Sequence, residues 1–137
     1  MKRLLIIALV LFVAFSARSQ YKGDIIIEQV LKSDTTSIGQ KIVYPQVSNT
    51  EVTVSKIIFP PGSSTGWHKH DIPVFAYVLE GELTVELENG KSVQFKQGTS
   101  FAEVHDTWHN GKNNGIDSLV LIAIYMGEKG KALSKLK

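Results

Sequence analysis

Four histidines stand in the 137-residue chain, and three of them, His68, His70 and His109, are spaced as ligands of a metal ion would be. A single residue separates His68 from His70, so an extended strand projects both onto the same face. Imidazole nitrogen is a neutral donor that transition metals of intermediate softness accept, and two ligands on one strand lessen the entropy cost of building a site. An isolated His-x-His pair also occurs on ordinary surfaces, so the neighbouring residues decide its weight. Glu103 lies six residues before His109, in the apolar segment Phe101-Ala102-Glu103-Val104. If it points inward with Phe101, its charge needs a partner, which a metal or a liganding histidine supplies. If it points outward, it is simply solvated. His105 sits in a turn-like stretch, where an exposed role outweighs a catalytic one. Near the site it would be the obvious general base, because its unperturbed pKa lies near working pH.

The elements that must hold these side chains read as strands. Segments 25–31, 39–44, 51–59, 75–87, 91–95, 99–104 and 119–125 are rich in Val, Ile and aromatics, and turn signals such as Pro60-Pro61-Gly62, Asn89-Gly90 and Gln97-Gly98 separate many of them. Alternation is strict from Leu83 to Glu88, with Leu83, Val85 and Leu87 directed to a core. Asn89-Gly90 predicts a hairpin with a type I′ turn. No helical stripe precedes Gly127, so many short strands predict an all-β sandwich or barrel. By strand parity Val74, Ala76 and Val78 line a cavity, while Phe75 and Tyr77 face away. Trp67 and Trp108 each precede a candidate ligand, so alternation turns both from the metal onto an outer layer; stacking on a sugar or aromatic ligand is the functional alternative.

The ends of the chain are different in kind. Lys2 and Arg3, an uncharged run from Leu4 to Ala17 and small residues near Ser19 read as a secretory signal peptide over residues 1–19. The run is short for a bilayer span. A secreted or periplasmic location is expected, with no stable membrane span after cleavage. The absence of cysteine excludes both a lipid anchor on cysteine and any disulfide. Cleavage before Gln20 removes Lys2, Arg3 and Arg18, so the formal charge of +2 falls by three to −1. Such a balance offers no argument for nucleic acid, which demands clustered positive charge. Residues 20–126 suit one domain with a modest core, which dimerisation into a homodimer would enlarge. Residues 127–137, with Lys129, Lys131, Lys135 and Lys137, read as a loosely held basic tail.

Two segments together resemble the motifs of the cupin superfamily. The first runs from Gly62 through His68, His70 and Val74 to Gly81; the second runs from Gly98 through Val104, Asp106 and His109 to Asn113. Val104 and Asp106 stand where the second motif carries proline and glycine. The resemblance implies a double-stranded β-helix, or jelly-roll barrel, holding a metal on His68, His70 and His109. Asn113, the motif's last residue, reads as pinning the His109 loop by hydrogen bonds, with a plain turn asparagine the stronger reading on sequence alone. The departure that matters is Val74, which occupies the position of the motif's glutamate. Three readings follow: three histidines and water hold the metal, a displaced carboxylate such as Glu103 substitutes, or the histidines line an organic pocket without metal. The superfamily spans many chemistries, so fold does not fix function. The expectation is an extracytoplasmic enzyme using iron, manganese, nickel or zinc on a small-molecule substrate, dioxygenase-like in its open coordination positions. The alternative is binding of a sugar or small organic acid without turnover.

Overall fold

The computed structural model describes residues 23–137, so the proposed signal segment, residues 1–19, lies outside the described residues. Nine strands and no helix appear among them: β1 (Thr50–Phe59), β2 (His68–Lys69), β3 (Val74–Glu80), β4 (Glu82–Leu87), β5 (Ser92–Lys96), β6 (Ser100–Ala102), β7 (His109–Lys112), β8 (Leu119–Glu128) and β9 (Lys135–Leu136). No described helix is long and apolar enough to cross a membrane.

The strands pair into two antiparallel sheets, one ordered β1-β8-β3-β6 and the other β5-β4-β7-β2-β9. The expected closure into a jelly-roll β-barrel is therefore corrected. The ladders stop at β1 and β6 in one sheet and at β5 and β9 in the other, leaving two open sheets face to face. At the β5–β6 edge the layers meet through side chains, with Phe95 and Phe101 stacked at 3.6 Å between ring centroids. Alternating strands and frequent turns are common to sandwiches and barrels. Closure depends on the tilt and stagger of distant edges, which no local pattern encodes.

Ala76, Val78, Leu119 and Leu121 from one sheet pack on Leu83, Val85 and Leu87 from the other, forming a single buried cluster. Gly81 carries the chain between the sheets and splits the expected 75–87 strand into β3 and β4. Its φ of 80° is left-handed, and a Cβ there would lie 3.1 Å from the Leu119 Cα. The Asn89-Gly90 hairpin joins β4 to β5, but only Gly90 has positive φ, so the turn is not type I′.

Three segments differ from expectation. Residues 25–31 form no strand, and Ile25, Ile26 and Ile27 are exposed. Within 39–44 the only pairing is the isolated Thr35–Lys41 bridge. Both segments have strand composition, but composition supplies no partner ladder. The tail is not loosely held: β8 continues to Glu128, and β9 pairs with β2, placing Leu136 opposite His68.

Candidate metal centre

Two short strands bring the histidines together. Gly66, with a φ of 74°, turns the chain into β2, where His68 lies directly opposite His109 of β7. His70 follows one step beyond β2 on the same face, and its carbonyl accepts the Asp106 amide at 2.7 Å. The ring centroids are 4.3 Å apart for His68–His109, 5.0 Å for His68–His70 and 5.2 Å for His70–His109.

Glu103 arrives from the other sheet. The β3–β6 register sets Phe75 opposite Ala102, and the Glu103 amide extends that ladder by donating to the Val74 carbonyl at 2.8 Å. Glu103 is thus the cross-strand neighbour of Val74, and such neighbours share a face with Cβ atoms about 4.5–5.5 Å apart. The carboxylate absent at Val74 is supplied from one strand over. Its Oε2 lies 3.2 Å from Nε2 of both His70 and His109, with its side chain 14% exposed. The His68, His70, Glu103 and His109 donor atoms all fall within 4.8 Å of one another. Ligands about 2.1 Å from a common centre stand at most about 4.2 Å apart, so the set fits a metal after closing by a few tenths of an ångström.

A backbone carbonyl backs each ring. Nδ1 of His68 donates to Gly66 O at 2.9 Å, that of His109 to Thr107 O at 2.8 Å and that of His70 to Leu133 O at 2.7 Å. A carbonyl cannot donate, so each Nδ1 carries a proton and each Nε2 faces the centre, where it offers a lone pair to a metal ion or, when it too is protonated, a hydrogen bond to the Glu103 carboxylate. Burial pushes Glu103 up, but hydrogen bonds from His109 and His70 outweigh it and bring the carboxyl down to about 2. Burial lowers His109, yet its bond to Glu103 and that carboxylate's charge raise the imidazole above its ordinary value. His68, farther from the carboxylate, is lowered, chiefly by burial.

The donors line a cavity of about 40 Å³ whose walls also include Ile57, Val74, Ala76, Leu121 and Ala123. That volume admits only a few waters or a group of similar size. Tyr125, which the sequence reading passed over, also lines it. The β3–β8 register places Tyr125 opposite Val74, so Tyr125, Val74 and Glu103 form one inward row across three strands. Burial, then the Glu103 charge, raises the Tyr125 hydroxyl, which stays protonated. A tyrosine within a predicted strand is the only sequence signal for it, and parity alone does not locate its cross-strand partner.

The remaining candidates are spread more widely. Val74 and Ala76 line the cavity, whereas Val78 is fully buried in the core beyond it. Asn113 does not support His109 directly. Its amide donates to the carbonyls of Phe59, Pro60 and Asp117, and its oxygen accepts from Gly115, so it ties the turn after β7 to the end of β1. His105 lies outside the cavity lining and joins no donor set; its main chain exchanges hydrogen bonds with Gln40. The left-handed Asp106, at φ 44°, follows it and redirects the chain before His109. Trp67 and Trp108 also lie outside the cavity lining, with Lys137 Nζ 5.8 Å from both ring centroids.

The family described as cupin domain matches residues 55–125, a span that contains all four donors. Among solved structures, a cupin domain from Bordetella pertussis Tohama I is 30% identical with a TM-score of 0.50; the match covers 64% of this chain and 88% of that one. A Bacillus halodurans protein is 22% identical at a TM-score of 0.52, covering 58% of this chain and 65% of that one. The DMSP lyase DddQ from Ruegeria pomeroyi shares the fold at 15% identity and a TM-score of 0.54, over 63% of this chain and 43% of that one. No curated protein matches the sequence.

Proposed function

The chain belongs to the cupin domain family, and we propose that it is an extracytoplasmic metal-dependent enzyme acting on a small organic acid or enol, with dioxygenase chemistry the class to test first. The observation that carries this reading is the convergence of three carbonyl-backed imidazoles and one carboxylate on a small, apolar-walled cavity. Iron, manganese, nickel and zinc all accept such donors, and the ion, when bound, supplies Lewis acidity and open positions for an anionic group.

The chain's own residues account for the rest. Glu103 offsets part of the ion's charge and, when not ligating, is the base nearest the reacting atoms. Tyr125, protonated and on the same inward row, donates a hydrogen bond to an oxygen of the substrate. Val74, Ala76, Leu121 and Ala123 exclude water from the remaining wall. The cavity favours a compact head group such as a carboxylate over a sugar ring. The basic, apolar N-terminal segment supports export. Exposed Val52, Val54 and Ile58 on the edge strand β1 support a homodimer, checked by light scattering.

The test is elemental analysis of the purified protein and a His68→Ala variant, followed by oxygen-uptake assays on metal-loaded protein with a panel of small enols, diketones and hydroxy acids. Stoichiometric metal that His68→Ala loses, with uptake on one substrate class, is expected. Metal-free protein that refuses iron, manganese, nickel and zinc alike refutes the reading.

A further inference from the structure

Two of the three carbonyls that orient the ligand rings are local, each two residues before its histidine. The third is not. His70 Nδ1 donates to Leu133 O, 63 residues further along the chain and beyond the segment matched to the family. Leu133 opens the run of residues that ends in β9. There Leu136 pairs with His68 and Lys135 with Lys69, while the Lys137 amide donates to Trp67 O at 3.0 Å. Two ion pairs fasten the same run: Lys135 Nζ to Asp71 Oδ2 at 2.7 Å, and Lys137 to Glu88. The attachments flank His68 and His70 on both sides.

We propose that residues 133–137 are a clasp that positions His70 and so sets the metal affinity of the centre, a role that rests on the metal-binding function proposed above. Without Leu133 O, the His70 ring loses the acceptor that fixes its proton on Nδ1 and its Nε2 toward the donor set. Partners of this kind are worth about 10–100-fold in metal affinity. The clasp adds little to the fold. The buried cluster contains no residue after Leu121, and Lys135, Leu136 and Lys137 are exposed. Its removal therefore acts on the site more than on the core. The basic residues of this tail serve docking, with Lys135 and Lys137 each meeting a carboxylate beside the strands that bear the ligands.

The experiment compares the mature chain with the same chain ended after Ala132, using zinc(II) alone as probe. Zinc affinity is read by chelator competition, and thermal unfolding is recorded in excess chelator. The truncated chain is expected to unfold within a few degrees of the full one and to bind zinc about 10–100-fold more weakly. A folded truncated chain with zinc affinity within twofold of the full chain overturns the clasp and leaves the metal-binding reading standing. Failure of the full chain to bind zinc overturns both. A charge exchange makes the test independent of truncation. Lys135→Glu is expected to weaken zinc by about two- to fivefold, the range of an exposed ion pair, and Asp71→Lys with Lys135→Glu to restore it. Absence of that loss, or of its rescue, also overturns the proposal.

Discussion

Replacing Glu103 by glutamine keeps the side chain's shape and removes its charge. The carboxylate oxygen is 3.2 Å from two ligand nitrogens, so a metal on those nitrogens lies within bonding reach of it or one water away. A unit charge about 4 Å from a unit cation is worth about 4 kcal/mol at an effective dielectric of 20, hence about 8 kcal/mol against a divalent ion. The glutamine carbonyl and an entering water recover much of this. A net loss of about 3–4 kcal/mol is expected, which is 10²–10³-fold in zinc affinity by chelator competition. His68, His70 and His109 remain, so binding weakens without vanishing. An affinity unchanged within threefold, with the variant folded, would refute the idea that Glu103 is the carboxylate of this site. Should affinity hold while turnover falls about 10²–10⁴-fold, Glu103 would act as a base through water and not as a ligand.

The other expectations follow from the same geometry. Tyr125→Phe should leave zinc affinity within about twofold and, once a substrate is in hand, lower turnover by about tenfold or more, if the hydroxyl has the proposed role of hydrogen-bonding substrate; a larger loss of zinc would instead make it a ligand. Asn113→Ala should destabilise the protein by about 2–4 kcal/mol in urea titrations, since three carbonyls lose a buried donor, while zinc affinity in the folded protein stays unchanged. In metal-free protein the Glu103–His109 pair should stabilise most between about pH 4.5 and 6.5. Glu103 is depressed from 4.5 to about 2, so its share is present above 4.5 and lost as pH falls toward 2. His109 is raised above 6.5, so its share is full below 6.5 and lost as pH rises through the higher value. Thermal unfolding in chelator, wild type against Glu103→Gln, should show a difference that peaks in that window; a difference constant from pH 4 to 9 would rule the pair out.

What the sequence makes legible is whatever rests on short-range parity. His68 and His70 fall on one face because strand side chains alternate, and Val74, Ala76 and Val78 point inward by the same rule. Glu103 is a partial case: its apolar neighbours argue for the inward direction, but its place beside Val74 is a property of the β3–β6 register. Register between strands separated by a β4–β5 hairpin is set by packing of the whole sheet, and nothing within four or five residues announces it. The inward place of Tyr125 is illegible for the same reason, since it is the partner of Val74 on the other side. Sheet closure is decided at longer range still, by edges that no local pattern relates. The tail is the extreme instance: four lysines over residues 129–137 have the composition of a solvated end, and composition is blind to acceptors held elsewhere. Asp71 and Glu88 draw Lys135 and Lys137 down onto the ligand-bearing strands, which delivers Leu133 O to His70. The third ring of the centre thus takes its backbone acceptor from residue 133, far along the chain from His70. On the proposed clasp, the His70 ring is fixed only once β9 has paired with β2, so full zinc affinity should follow that pairing and not precede it.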